Sequence, residues 1–417
     1  MSSLRRDIII LFTTRIIRLF AYGFVSIVLA LYLAGIGLSG EEIGFLFTLA
    51  LLGDAVVSLW ITTRADRIGR KGMLVLGSIL MVLAGIVFAF AGNFVVLVIA
   101  GTIGVISPSG KEIGPFLSIE QAALSQLAKD ERRTHMFAWY NLAGSFAGAF
   151  GALVGGVIAH GLQTNGMAEV DSYRVLVLGY AVCGIGMTIL FLRLSSAVEP
   201  SRGSLAPVLR ATFGLHRSRR IVMKLSVLFG FDAFAGGFII QSLIAYWFYL
   251  KFGVSAEVLG SIFFATNLVA GISALFAARI AKRIGLVNTM VFTHIPSNIL
   301  LCLVPLMPTL PLAIGMLILR FTISQMDVPT RQSYTIAVVS EDERSAASGV
   351  TTIARSVGAS VSPSLTGVFL ANPALLSLPF FLAGGFKILY DLFVYRSFRR
   401  MKPPEEMEAI VADVEKE

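Results

Sequence analysis

Apolar residues dominate the chain in long runs, interrupted by short clusters of Gly, Pro and charge. The runs cover about 8–34, 42–63, 73–91, 94–128, 134–160, 173–193, 221–250, 256–278, 288–307, 311–339, 345–370 and 378–396. A helix needs about 20 apolar residues to cross the hydrocarbon core of a bilayer. The pattern therefore predicts an all-α membrane protein with twelve transmembrane helices. The run 94–128 is too long for one simple crossing. It contains Ser107-Pro-Ser-Gly-Lys-Glu-Ile-Gly-Pro-Phe116, and Pro108, Gly110, Gly114 and Pro115 predict a broken helix there, because proline removes a backbone donor and glycine frees the backbone. The first run follows Arg5 and Arg6, as the apolar core of a signal peptide does. It is too long for one, carries Arg15 and Arg18, and is expected to be a retained first span.

Composition agrees with lipid as the solvent. Of 417 residues, 56% are hydrophobic and 14% charged, against roughly 25% charged in soluble domains. Mean hydropathy is +0.81. The net charge of +9 would fit a nucleic-acid partner only if it formed a patch. Instead, outside the spans, Lys and Arg sit in one alternating set of loops and at the termini, and only Arg174 and Lys251 fall in the other set. That asymmetry is the positive-inside pattern. It excludes a nucleic-acid role and predicts cytoplasmic termini for a multi-pass protein of the cell (plasma or inner) membrane. Cys183 and Cys302 lie in apolar runs, and the four histidines lack ligand spacing, so no metal and no cofactor are expected. There is no GxxxxGK[ST] phosphate loop and no nucleophile–base constellation, so an enzyme is not expected.

The longest polar connection, 195–220, divides the chain into six-span halves, 1–194 and 221–400, followed by a charged cytoplasmic tail, 401–417. The halves resemble one another. Lys129-Asp-Glu-Arg132 before one Gly-rich span matches Glu341-Asp-Glu-Arg344 before another. In that register Gly155 falls on Gly367 and Gly148 on Ser360. Arg67-Ile-Gly69 likewise answers Arg283-Ile-Gly285, and Gly44 answers Gly260. Paired repeats of this kind place a solute site near the bilayer midplane between the halves.

After the second span the sequence reads Arg64-Ala-Asp66-Arg67-Ile-Gly69-Arg70-Lys71. This loop resembles the signature of the major facilitator superfamily, with Thr62 where that pattern begins on Gly. The resemblance extends to the span number, the central loop and a degenerate copy at Arg279–Gly285, where Lys282 replaces the acid. It implies two pseudo-symmetric six-helix bundles, a cavity lined by spans one, four, seven and ten, and a cytoplasmic gate. The gate residues it implies are Asp66, Arg67, Gly69 and Arg70; apart from the resemblance, Asp54 in the second span and Arg355 in the eleventh are further gate candidates. Asp66 is expected to accept hydrogen bonds at the positive N-terminus of a neighbouring helix.

Charges inside spans are costly, about 2.5–3.5 kcal/mol each on insertion scales, and persist where they are paired or wet. Arg15, Arg18 and Tyr22 share one face of the first span. Lys111 and Glu112 lie at the break in the fourth, with Glu120 two turns beyond. Asp232 lies in the seventh. Arg320, Ser324, Asp327, Arg331 and Tyr334 form one stripe on the tenth. These residues are the candidates for a cavity that contacts solute or coupling ion, against the alternative of a static ion-pair network. Glu120 is the first candidate for a proton-carrying carboxyl, ahead of Asp232 and Asp327. Lys387 and Asp391, at i and i+4, are expected to pair. The series Gly144, Gly148, Gly151, Gly155 and Gly156 is expected to let helices approach closely. It is similar to the fifth helix of superfamily exporters but lacks their Gly-Pro pair.

Together these readings predict a monomeric secondary active transporter, coupled to protons or another ion, that moves a small polar solute by alternating access. Arg15 and Arg18 favour an anionic solute, since guanidinium matches carboxylate and phosphate. Two other readings are a proton-driven multidrug exporter, favoured by the aromatic content, and a membrane sensor or assembly factor that transports nothing.

Overall fold

The structure is a computed structural model, which describes residues 3–112, 114–127, 130–200, 215–399 and 401. The proposed tail and most of the central loop lie outside the described residues. Sixteen α-helices are described: α1 Ser3–Ser26, α2 Leu29–Gly35, α3 Gly40–Ile68, α4 Arg70–Phe90, α5 Phe94–Ile103, α6 Phe116–Leu127, α7 Asp130–Thr164 and α8 Glu169–Leu192 in the first half. The second half contains α9 Arg219–Gly237, α10 Gln241–Phe252, α11 Ala256–Ile284, α12 Leu286–Leu303, α13 Leu310–Phe321, α14 Asp327–Ala337, α15 Arg344–Ala371 and α16 Leu378–Phe398. Among the described residues, nine spans are long and apolar enough to cross a membrane, and α5 and α13 are shorter apolar helices.

The sixteen helices fall on the twelve runs read from the sequence, eight runs forming one helix each. Four runs consist of two helices each: α1–α2, α5–α6, α9–α10 and α13–α14, which are the first, fourth, seventh and tenth spans. The break predicted in the fourth span therefore recurs at every third span. Local signals set several ends. Ser39 and Glu42 form a reciprocal cap at the start of α3, with Glu42 N donating to Ser39 Oγ at 3.2 Å and Ser39 N to Glu42 Oε2 at 2.8 Å. Asn93 Oδ1 accepts from the Val95 and Val96 amides at the start of α5. Gly69 turns α3 into α4 with φ +124°, and Gly285 turns α11 into α12 with φ +87°. Both φ values lie where a side chain is strained. The two residues are repeat partners, so the halves share a turn as well as a sequence echo.

The described chain forms two compact units. The first comprises Met1–Ala206, Ile239–Leu268 and Pro363–Leu376; the second comprises Pro207–Phe238, Val269–Ser362 and Ser377–Glu417.

In the first unit the Gly-rich face of α7 lies against α1. A Cβ on Gly151 would stand 2.1 Å from Phe20 O, and one on Gly155 2.5 Å from Phe24 O. Contact this close gives the van der Waals gain that holds helices together in lipid, where apolar burial supplies no drive. Two further crossings use the same device. A Cβ on Gly44 (α3) would meet Pro363 O at 2.4 Å and Gly367 Cα at 2.8 Å; one on Gly156 (α7) would meet Ala256 O at 2.5 Å and Gly260 Cα at 3.0 Å. The second unit shows an analogous approach of α9 and α15: a Cβ on Gly358 would stand 2.1 Å from Gly230 O.

Candidate functional site

Breaking a helix in hydrocarbon strands backbone groups that must find partners. In the first unit three breaks satisfy one another. Ser242 N donates to Pro108 O at 3.0 Å. Ser242 Oγ donates to Ser26 O at 2.6 Å, and Gln241 Nε2 to Ser26 Oγ at 2.8 Å. Asn267 Nδ2 donates to Gln241 Oε1 at 3.2 Å. Gly110, with φ +66°, leaves the room: a Cβ there would lie 2.8 Å from Ser26 Oγ. Spans one, four and seven are thus knotted at their breaks by uncharged groups.

Around the α5–α6 break a charged cluster forms within the first unit. Arg18, fully buried, donates Nη1 and Nη2 to Glu120 Oε1 and Oε2 at 2.9 and 2.7 Å, and Nε to Glu112 Oε1 at 2.9 Å. Arg15 pairs with the other oxygen of Glu112, donates Nε to Tyr140 O at 3.2 Å and reaches Asn141 Oδ1 at 3.3 Å. Glu120, also fully buried, accepts in addition from Thr14 Oγ1 at 3.0 Å and from the Tyr140 hydroxyl. The Arg15 guanidinium lies 4.4 Å from the centre of the Tyr140 ring, and that of Arg18 lies 4.7 Å from the centre of Phe116. Two arginines thus face two glutamates, in bidentate geometry that suits the planar guanidinium. Glu112 binds arginines of α1, and its neighbour Lys111 is exposed. Tyr22 is buried and stacks on Tyr180, their rings 6.3 Å apart.

The second unit carries its own cluster. Asp232 (α9) accepts from Lys387 Nζ (α16) at 2.6 Å, and from Arg331 Nη1 (α14) and Arg355 Nη1 (α15) at 3.1 Å each. Arg331 also holds Asp327 at 3.0 Å. Asp391 pairs with His294 Nδ1 (α12) at 2.9 Å and accepts from Asn298 Nδ2 at 3.3 Å. The i,i+4 pairing expected of Lys387 and Asp391 is replaced by these two separate partnerships. Arg320 belongs to neither: it is buried, its guanidinium is 4.9 Å from the centre of the Phe321 ring, and its Nε has no hydrogen-bond partner among the described residues.

The gate candidates divide. Arg70 Nε donates to Asp66 at 2.8 Å, and its Nη1 to Gln126 Oε1 at 3.0 Å and Val198 O at 3.3 Å. The acid at the N-terminus of α4 is Glu199, which accepts from the Arg70 and Lys71 amides at 2.6 and 3.1 Å. Asp66, expected in that role, instead holds the Arg70 side chain across the Gly69 turn between α3 and α4. Arg67 is exposed. Asp54 lies twelve residues before Asp66 on α3, about 18 Å along the axis. It accepts from Ser58 Oγ at 3.3 Å and has no cation partner among the described residues. Arg355 joins the Asp232 cluster rather than the loop.

Sequence reasoning passed over Glu199, Tyr140 and His294. Glu199 follows the sixth span directly, facing a basic loop, and that proximity was its one signal. In the second unit Glu343 repeats the capping arrangement: its buried carboxylate accepts from the Arg217 and Ser218 amides at 2.8 Å each and from that of His216. These bonds at the start of α9, with Ser218 foremost and His216 next, hold its carboxyl down at about 2. An open groove of about 420 Å³, lined by Leu275, Phe276, Ala278, Arg279 and Lys282, shares no residue with either cluster.

Helices interrupted at every third span, with buried charge clusters on those interrupted spans, define a multi-pass membrane protein with a transporter fold. The profile of the Major Facilitator Superfamily matches residues 11–363 and 227–413, and the chain belongs to that family. It is 32% identical to the uncharacterized membrane protein YJR124C of Saccharomyces cerevisiae over 93% of each chain. It is 31% identical to the quinolone resistance protein NorA of Staphylococcus aureus, over 24% of this chain and 26% of that one. The crystal structure of a D-xylose-proton symporter superposes with a TM-score of 0.72 at 16% identity, covering 93% of this chain and 97% of that one.

Proposed function

We propose that the protein is a secondary active transporter that moves a small polar, anionic solute across the cell membrane by alternating access, as a monomer with cytoplasmic termini. The carrying observation is the placement of two buried charge clusters on spans one, four, seven and ten, with Glu112 at the break of the fourth and Asp327 at that of the tenth. Ion pairs buried this deep are weak stabilisers compared with apolar packing. Their retention beside freed backbone dipoles fits a site that handles polar cargo.

Proton coupling is part of the proposal, with the carrier reassigned. Glu120 is held by Arg18 at both oxygens and by two hydroxyls, so a proton would have to displace a guanidinium. Asp232 faces three cations. Asp54 holds one hydroxyl and no cation among the described residues, and is the carboxyl best placed to take and release a proton. The loop 64–71 acts as the gate through Arg70, Gly69 and Asp66, with Glu199 as its anchor.

The test is reconstitution. Compounds that stabilise the purified protein against heat are offered to proteoliposomes with and without an imposed pH gradient. Gradient-driven accumulation, lost in Asp54→Asn, is expected. If no stabilising compound crosses the membrane, transport is refuted. Flux indifferent to the gradient refutes coupling alone.

A second reading, drug export, is favoured by the partial similarity to a quinolone resistance protein. A drug-sensitive host expressing the protein would then survive higher quinolone concentrations.

A further inference from the structure

Every cation described in the two clusters has a carboxylate partner. In the first unit Arg15 and Arg18 face Glu112 and Glu120. In the second, Arg331, Arg355 and Lys387 face Asp232 and Asp327, and Asp391 is taken by His294. Arg320, buried outside both, departs from this rule. Its residue is 6% exposed, it has no carboxylate within ion-pair distance among the described residues, and its Nε is buried without an acceptor there.

Its position rules out a surface role. Ala313, Leu317 and Arg320 are the buried residues of α13, at i, i+4 and i+7 on one face, whereas Leu312 and Leu319 are exposed. Arg320 stands ten residues into α13, about 15 Å along its axis, or halfway through a core of about 30 Å. His294 stands nine residues before the end of the antiparallel neighbour α12, at nearly the same depth. The nearest acid in sequence, Asp327, is already held by Arg331 at 3.0 Å. An ionised guanidinium left unpaired at this depth destabilises the protein. Unlike a lysine it does not escape by losing its proton. What relieves it is an anion from outside the chain.

We propose that Arg320 is the receptor for the solute's anionic group, and that this group is a single oxyanion, a carboxylate or a phosphate monoester. The assignment rests on the transport reading above and deepens it. Arg15 and Arg18, the arginines first suggested by the sequence, are occupied by the protein's own glutamates. Among the buried arginines described, Arg320 offers the unsatisfied donor, and the planar fork suits two oxygens of one group.

The experiment is thermal unfolding of the purified full chain in detergent, at fixed ionic strength, with benzoate, phenyl phosphate and neutral benzamide as probes. Benzoate or phenyl phosphate should raise the Tm saturably and benzamide should not; the anion with the larger shift identifies the group. Arg320→Gln should match or exceed the wild-type Tm without probe, because it removes an unpaired charge, and should lose the anion shift. Arg320→Lys should keep part of that shift, with half-saturation weakened about tenfold or more. A lower Tm for probe-free Arg320→Gln would mean that Arg320 is a structural group, and would overturn the proposal. So would an anion shift that survives in Arg320→Gln, or no shift with either anion in the wild type. Saturable anion binding by a protein that shows no flux would leave the receptor standing and refute transport. Flux unchanged in Arg320→Gln would do the reverse.

Discussion

Arg18→Met is the most informative single substitution in the first unit. The guanidinium makes three hydrogen bonds of 2.7–2.9 Å to two carboxylates and is fully buried with Glu120. Methionine fills much of the same volume against Phe116 but leaves Glu120 with a charge and no cation. Breaking one side of a buried pair costs about 3–5 kcal/mol. Loss of the contact with the Phe116 ring adds about 0.5–1 kcal/mol. Glu112 is spared, because Arg15 still holds it. The double variant Arg18→Met/Glu120→Gln removes both charges and keeps an amide that accepts from Thr14 and Tyr140. It should therefore be more stable than Arg18→Met alone, with a coupling energy of at least about 2 kcal/mol. Equilibrium unfolding of the four proteins in mixed micelles measures the cycle. Additive losses, with the double variant the least stable of the four, would refute the account of Glu120 as a carboxylate neutralised by Arg18.

Asp232→Asn should destabilise more than Asp327→Asn in the same assay, because Asp232 faces three cations and Asp327 one. Gly69→Ala should cost about 1–3 kcal/mol, since φ is +124° there, and Gly72→Ala, with nothing within 4 Å of its Cβ, is its control. Gly44→Val should reduce transport while protein is still produced, because its side chain would collide with Pro363 O and Gly367; cross-linking of Thr48→Cys to Ser364→Cys, whose hydroxyls lie 2.7 Å apart, reports whether the crossing has opened. Glu343 is ionised at lower pH in the folded protein than its ordinary 4.5. Its stabilising contribution is fully present above about 4.5 and fades as pH falls toward about 2. A difference between wild type and Glu343→Gln that is as large at pH 2 as at pH 6 would refute this.

The spans were legible because hydrocarbon imposes length and apolarity on every crossing. The break in the fourth was legible because Pro108, Gly110, Gly114 and Pro115 announce it. The breaks in the first and tenth were not: Ile27-Val28 and Thr322–Met326 contain neither Gly nor Pro, and the partners of the first are tertiary. Ser26, for example, is held by Gln241 and Ser242, more than two hundred residues away. Which charges lie inside spans was also readable; which of them pair was not. Lys387 and Asp391 satisfy the i,i+4 rule, yet Asp232 and His294 take them from other helices. Periodicity ranks neighbours on one helix and is silent about competitors on another.

The ion pairs of each cluster come from one half of the sequence: Arg15, Arg18, Glu112 and Glu120 from the first, Asp232, Asp327, Arg331, Arg355, Lys387 and Asp391 from the second. As the ribosome delivers the chain, each half can therefore neutralise these charges without waiting for the other. A nascent intermediate halted after the sixth span has already matched Arg15 and Arg18, and can leave the insertion machinery for the lipid.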